Sequence, residues 1–269
     1  MHIDTSPYPS PTNLGPFSVA FSTKADGNMW REQSTREQTE RNRKAFFKRI
    51  GHNHDLQIYR VRTGHSSNVE FITRSATGFM RDVELGKYSI ETDFDFYKQA
   101  ADGIVTRDPK SGVMLIAADC TPVILWNEST MLHGILHIGL LGALNGAIQT
   151  LKPLLRRYGI EPYQLNAYLG PSIAGENYNV TKSGLWVAIE NQVKANKTLR
   201  PVLDKHFDGS HFDVRGSTID HLIAIGIEES NIQVFSKCTT DSDSHFFSHY
   251  AAMQTGKNPE SFASIIWIQ

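Results

Sequence analysis

Three apolar runs crowd the middle of this chain, Val113 to Ala118, Pro122 to Trp126 and Met131 to Ile138, and they restrict the fold more than any other feature. None contains Asp, Glu, Lys or Arg, and only short polar breaks separate them. A continuous apolar stretch of this length, rather than an alternating one, suits a strand buried on both faces. Both faces of such a strand must be covered. The helical patterns elsewhere supply the cover. Glu32 to Ile50 is charged, free of proline and closed by Gly51, with Ala45, Phe46, Phe47 and Ile50 as its buried residues. Leu144, Ala147, Ile148 and Leu151 follow helical spacing, and Pro153 starts a second helical piece. Ser183 caps a helix with Leu185, Ile189 and Val193 inside. Asp213 caps another, carrying Ile219, Leu222 and Ile223 and ending at Gly226.

Shorter strands are expected at Phe17 to Ser22, Leu56 to Val61, Val69 to Thr73 as its partner, Leu165 to Leu169, Ile232 to Phe235 and Ala263 to Ile268. Strands interspersed with helices throughout predict an α/β (mixed α+β) fold, a mixed sheet flanked by helices. No repeat, low-complexity tract or long linker divides the chain. One domain is expected over residues 17–269, with residues 1–16 as an N-terminal tail or loop.

Lys and Arg number 27 against 28 Asp and Glu, so nothing in the charge favours nucleic acid. No apolar run approaches the roughly 18 residues of a membrane span, and the Pro/Ser/Thr-rich start lacks the core of a secretion signal. Two cysteines, Cys120 and Cys238, are too few for a secreted disulfide scaffold, so a reduced, cytoplasmic protein is expected.

Cys120 lies where one apolar run ends and the next begins, in Ala118-Asp119-Cys120-Thr121-Pro122, and His137 closes the third run. If these runs are neighbouring strands, the thiol and imidazole meet at one edge of a sheet. His65 sits in a Gly64-His65-Ser66-Ser67 turn between two earlier strands. Two imidazoles and a thiolate suit zinc and leave a fourth position for water or substrate. The intervals of 55 and 17 residues match no compact finger, so a buried apolar thiol beside a core histidine is the alternative. His133 shares a strand face with His137, which fits a core position or support behind the site. His52 and His54 form the only His-x-His and suit a solvated loop, and His245 and His249 flank Phe246-Phe247-Ser248 near the last strand. Cys238-Thr239 follows a strand and suits buried structure.

A longer pattern ties these segments together. Ala101-Asp102-Gly103-Ile104-Val105-Thr106, Ala118-Asp119-Cys120-Thr121-Pro122-Val123 and His137-x-Gly-x-x-Gly142 are followed by Leu169-Gly170-Pro171-Ser172-Ile173, Tyr178-x-Val180, Cys238-Thr239, Phe246-Phe247-Ser248 and Thr255-Gly256-Lys257. This combination resembles the laccase-domain family, known as multicopper polyphenol oxidase and as purine nucleoside phosphorylase, from about Phe17 to the C-terminus. The resemblance implies a single-domain α/β fold like the Cys/His catalytic domain of a necrotizing toxin. It also implies a metal site on His65, Cys120 and His137. The chain departs from the family at several places. The His turn reads Thr63-Gly64-His65-Ser66 where the family has Gln-Val-His-Gly. Leu140 and Leu141 stand for the family's Trp-Arg, and His249-Tyr250-Ala251 for its Tyr-Arg-Arg. Arginine is the bidentate partner of phosphate, so these changes bear on phosphate handling. Lys24 and Lys257 stand where the family has Arg.

The resemblance points first to a zinc-dependent enzyme acting on purine nucleosides with phosphate or water. In it, Cys120, His137 and Asp119 act at the reaction centre, and Lys24, Lys257 and His249 meet the substrate or its phosphate. Copper is the alternative metal, since the ligands suit it too. A full laccase centre needs about ten ligating histidines in His-x-His pairs, whereas this chain has 11 His and one such pair. A Cys120/His137 hydrolase, and a decayed site in a binding protein, are the remaining possibilities.

Overall fold

The computed structural model describes residues 10–30, 34–51, 57–61, 63–75, 78–81, 101–181, 186–187, 190 and 200–269. Its strands form two sheets. The first runs β1 (Thr12–Leu14), β2 (Phe17–Phe21), β12 (Phe262–Ile268), β7 (Ser111–Ala117), β3 (Gln57–Arg60). The second runs β11 (Ile232–Val234), β10 (Asn166–Leu169), β8 (Thr121–Asn127), β9 (Leu132–Ile138), β6 (Gly103–Thr106), β4 (Val69–Ser75), β5 (Gly78–Arg81). Both are mixed: β3 runs parallel to β7, β4 to β6 and β10 to β11, and the other pairs are antiparallel.

The uncharged runs are uncharged because the sheets lie face to face, each with a helical layer outside. On β8, Ile124 and Trp126 join the core between the sheets, with Phe17, Leu115, Phe262 and Ile266 from the first sheet. Val123 and Leu125 point the other way, into a core shared with helices α2 (Leu140–Leu144), α3 (Leu151–Arg157) and Val214–Ile225. On β12, Ile266 and Ile268 face between the sheets, while Ala263, Ile265 and Trp267 pack under Phe46 and Ile50 of α1 (Arg36–Arg49) and its C-cap. Neither face of these central strands meets water, and each buried Ile or Leu contributes about 1.5–3 kcal/mol. The result is one mixed α/β domain with helices on both outer faces.

Local signals set the helix ends. Thr35 accepts the Gln38 amide at 3.2 Å and starts α1, so the helix begins inside the span expected from Glu32, which lies outside the described residues. Asp213 accepts the Gly216 amide, and Gly226 closes that helix at φ 111°, a conformation glycine adopts without a Cβ penalty.

Several expectations need correction. β4 is not the partner of β3: the chain crosses from one sheet to the other between them, so β3 pairs with β7 and β4 with β5 and β6. Period-2 alternation marks a strand but does not name its neighbour. Within the expected N-terminal loop, Thr12–Leu14 pairs with β2 as an edge strand. Ala45 is exposed, because the buried stripe of α1 runs through Thr39 and Phe46. α3 starts at Leu151, two residues before Pro153, which fits the first turn because its missing N–H would find no partner there. His52, His54, Leu56 and the helix expected from Ser183 lie outside the described residues. Among the described residues no helix is long and apolar enough to cross a membrane.

Candidate metal centre

β8 and β9 are antiparallel, with Thr121 opposite Ile138 and Pro122 opposite His137. Cys120, one residue before β8, is thereby carried to the end of β9, where His137 sits. β6 is the other neighbour of β9, and β4 lies beside β6 with Val69 opposite Gly103. That register brings the turn before β4, which carries His65, to the same end of the sheet as Asp102 and His137.

Asp102 ties the pieces together. It is 1% exposed. Its Oδ1 accepts the Nδ1–H of His137 at 2.8 Å and the amide of His65 at 3.0 Å. Its Oδ2 accepts both the amide and the hydroxyl of Ser66, each at 2.6 Å, and the Gly64 amide lies 3.2 Å from both oxygens. With Nδ1 of His137 engaged, Nε2 is the nitrogen left for Cys120, which is hydrogen-bonded to that ring.

One ligand atom each from His65, Cys120 and His137 lies within 4.8 Å of the others, the one such cluster of three or more among the described residues. The two imidazole rings meet edge to face with centroids 4.9 Å apart. His137 is buried, Cys120 half-buried and His65 exposed, so the site has a closed back and an open mouth. Two local features permit this. His65 has φ 53° and Asp119, beside Cys120, has φ 76°, two of the three non-glycine residues in the left-handed region among those described. Such strain is held only where surrounding bonds over-determine it, and it concentrates at functional sites. The second feature is Gly139. A Cβ there would lie 2.8 Å from the Cys120 sulfur and 3.0 Å from Nδ1 of His65, so glycine keeps the space between these two donors clear.

The electrostatics follow from burial and neighbours. Burial alone would push His137 down, but Cys120 and Asp102 beside it outweigh burial and lift it to about 9. Burial pushes Asp102 up, but its bonds from His137 and Ser66 hold it below the ordinary carboxylate range, so it is an anion. His65 is lowered, first by desolvation of its inward edge and then by the neighbouring His137. Two nitrogens, one sulfur and a hydrogen-bonded carboxylate behind one imidazole form a donor set that fits a zinc-type cation.

The other expected site residues fall at different distances from this centre. The Asp119 carboxylate accepts the Thr239 hydroxyl at 2.5 Å on one oxygen and the Tyr250 amide at 2.6 Å on the other. It pins the Cys238 loop and the helix His249–Gln254 to the crossover that holds Cys120. His249, exposed at the start of that helix, interacts electrostatically with both His65 and Asp119, so it stands at the mouth. Lys24 donates from Nζ to the Ser244 carbonyl at 2.7 Å, and Lys257 is an exposed residue after the same helix. His133 is core: both ring nitrogens are within reach of carbonyls, Met131 and Ser111, each at 3.2 Å. Cys238 is buried and free, and its sulfur accepts the Ala174 amide at 3.1 Å.

The sequence reading assigned no role to Asp102, Gly139 or Tyr178. Tyr178 meets Tyr250 edge to face at 5.8 Å and interacts with Cys120 and Asp119, while burial raises its pKa. The available signal for Asp102 was a lone acid opening the apolar strand Gly103 to Thr106. For Gly139 it was a glycine two residues after a histidine.

Comparison with known proteins gives the chain a family and a fold. A protein named purine nucleoside phosphorylase from Mycobacterium bovis is 27% identical over 168 residues, 62% of this chain and 62% of that protein. One of the same name from Synechocystis is 30% identical over 167 residues, 55% of this chain and 62% of its own length. The chain thus spans 62% of the length of these curated relatives. Among solved structures, Bacillus licheniformis hypothetical protein YfiH superposes with TM-score 0.72 at 20% identity, covering 94% of this chain and 93% of that one. YlmD from Geobacillus stearothermophilus gives 0.71 at 18% identity, covering 98% and 93%. At such identities the likeness is one of fold. The sequence profile described as multi-copper polyphenol oxidoreductase laccase matches residues 20–269, and this chain belongs to that family.

Proposed function

We propose that this protein is a zinc-dependent enzyme acting on purine nucleosides, with His65, Cys120 and His137 holding the metal. The observation that carries this reading is the convergence of those three donors at one open-mouthed sheet end. The names of the relatives supply the substrate class. A zinc ion with three protein ligands supplies Lewis acidity and lowers the pKa of water in its fourth position to about 7.

The reaction takes one of two balanced forms. In phosphorolysis a phosphate oxygen bonds to ribose C1′ while the C1′–N9 bond breaks, and the base leaves carrying a proton. In deamination water adds at purine C6 and ammonia departs. His249 at the mouth is the group that carries the proton in either form. Asp119, whose oxygens are occupied by Thr239 and Tyr250, acts by holding the helix that presents His249. Lys24 is engaged with Ser244, so phosphate contact falls first to Lys257. The test is release of free base or ammonia from adenosine and inosine, with and without phosphate, by zinc-loaded protein. If neither product forms across the common nucleosides, the reading is abandoned.

One observation favours a second reading. Asp102, His137 and Cys120 stand in the order carboxylate, imidazole, thiol that activates a cysteine nucleophile. A Cys/His hydrolase would keep its activity in chelator and lose it on alkylation of Cys120, whereas the zinc enzyme loses activity in chelator.

A further inference from the structure

We infer that Asp102 is the positioning residue that fixes two of the three metal ligands at once, orienting the His137 ring and holding the left-handed turn that carries His65. This rests on the proposed metal function and extends it to a residue that touches neither metal nor substrate.

Three observations carry it. The ring of His137 offers two nitrogens, and the one bonded to Asp102 is Nδ1. A carboxylate can only accept, so it keeps the proton on Nδ1 and leaves the Nε2 lone pair for the metal. The second observation is the turn. His65 has φ 53°, in the left-handed region that a non-glycine residue adopts only at a cost. The amides of Gly64, His65 and Ser66 all converge on the same carboxylate, so that conformation is retained only while Asp102 accepts from them. The third is the backbone. The Asp102 amide donates to the Asn68 carbonyl at 2.8 Å, and its carbonyl accepts the His137 amide at 2.6 Å. Side chain and main chain of one residue therefore bridge the His65 turn to the end of β9.

Asparagine is nearly the same size, but it cannot serve both sides. If its oxygen faces His137, its NH2 meets the Ser66 amide donor. If its oxygen faces Ser66, its NH2 meets Nδ1, the proton moves to Nε2, and that nitrogen no longer binds metal. Each orientation loses one ligand's support. The carboxylate also places a negative charge directly behind the His137 ligand, which suits a bound cation.

The test compares wild type with Asp102→Asn and Ser66→Ala. Zinc affinity is measured by chelator competition, coordination by the absorption spectrum of cobalt(II)-loaded protein, and folding by thermal melting. Asp102→Asn should weaken zinc by about 10–100-fold, the usual effect of losing a partner behind a ligating histidine. The thiolate-to-cobalt band should persist while the ligand-field bands change. Ser66→Ala removes one bond to Oδ2 and leaves His137 untouched, so it should fold and weaken zinc a few-fold with a native-like cobalt spectrum. A residue that merely stabilises the fold would lower the melting temperature and leave zinc affinity and the cobalt spectrum of the folded protein unchanged; that result in Asp102→Asn overturns the inference. If Asp102→Asn does not fold, unaltered zinc affinity in Ser66→Ala overturns the part concerning His65. Wild-type protein that binds neither zinc nor cobalt overturns the proposed function, and this inference with it.

Discussion

Replacing Gly139 by alanine separates the metal site from the fold. The backbone there has φ −93° and ψ −177°, ordinary extended geometry, so alanine meets no conformational strain. Its lower unfolded-state entropy stabilises by about 0.4–1 kcal/mol, and its poorer performance as the N-cap of α2 offsets most of that. What remains is contact. The new methyl would stand 2.8 Å from the Cys120 sulfur and 3.0 Å from Nδ1 of His65, where non-bonded atoms settle near ~3.5–4.0 Å. Relief requires Cys120 to move by roughly 0.7 Å or more and His65 by roughly 0.5 Å or more, against the ±0.2 Å or so that a metal–ligand distance tolerates. Overpacking of this kind costs about 1–3 kcal/mol of stability, small enough for the protein to remain folded. Zinc affinity should fall at least ~100-fold, or about 2.8 kcal/mol. Elemental mass spectrometry after purification, chelator competition and a thermal melt make the comparison. A Gly139→Ala protein that keeps one zinc per chain at wild-type affinity would refute the argument that this glycine clears the space between the donors.

Other outcomes follow from the same geometry. Cys120→Ser and His137→Ala should each bring metal content from near one per chain to near zero, and Cys120→Ser should melt close to wild type because the thiol is only half-buried; a large stability loss with metal retained would favour a packing role for Cys120. Asp119→Ala removes the acceptor of the Tyr250 amide, so hydrogen exchange at Tyr250 should accelerate while exchange in β8 stays slow; unchanged protection at Tyr250 would contradict the anchoring role. Asp213→Ala deletes an N-cap bond of 2.9 Å and should cost about 1 kcal/mol in urea unfolding without altering metal content. Loss of zinc in that variant would show a coupling that the structure does not suggest.

What the sequence made legible was whatever leaves a local mark. The three apolar runs became β7, β8 and β9, because a strand covered on both faces has no room for charge. The Asp213 cap and the Gly226 stop were visible as residue types with one strong use each. Cys120 and His137 stand out in the sequence because each lies at the end of such a run, and the structure brings their donor atoms together. The misses are non-local. The alternation in Gln57–Arg60 and in Val69–Ser75 signals two strands, but nothing local states that they belong to different sheets. Asp102 passed unassigned because one carboxylate before a short strand has the appearance of a surface residue. Its burial makes sense only once His137 and the Gly64–Ser66 turn surround it.

The placement of the centre follows from the two-sheet architecture. The chain passes from the first sheet to the second between β3 and β4, where His65 lies, and again between β7 and β8, where Cys120 lies. At a crossover the backbone leaves one ladder before joining the next, so its amides need other acceptors. At the first crossover Asp102 accepts three of them. At the second, Asp119 turns through φ 76° and its carbonyl accepts the Ile173 amide. His137 needs no crossover, since β9 ends between the two. The irregular backbone thus carries two of the proposed ligands, His65 itself in the left-handed region and Cys120 beside left-handed Asp119, and the regular strand carries the third, His137, in a fixed position against which they are set. Lengthening the β7–β8 crossover by one glycine after Cys120 should therefore abolish metal binding, because it moves the thiol one residue away from β8 while the β8–β9 pairing that buries Val123, Leu125 and Leu136 keeps Pro122 opposite His137. Metal retained by that insertion would mean that the site tolerates a displaced thiol, and that the crossover does not set its geometry.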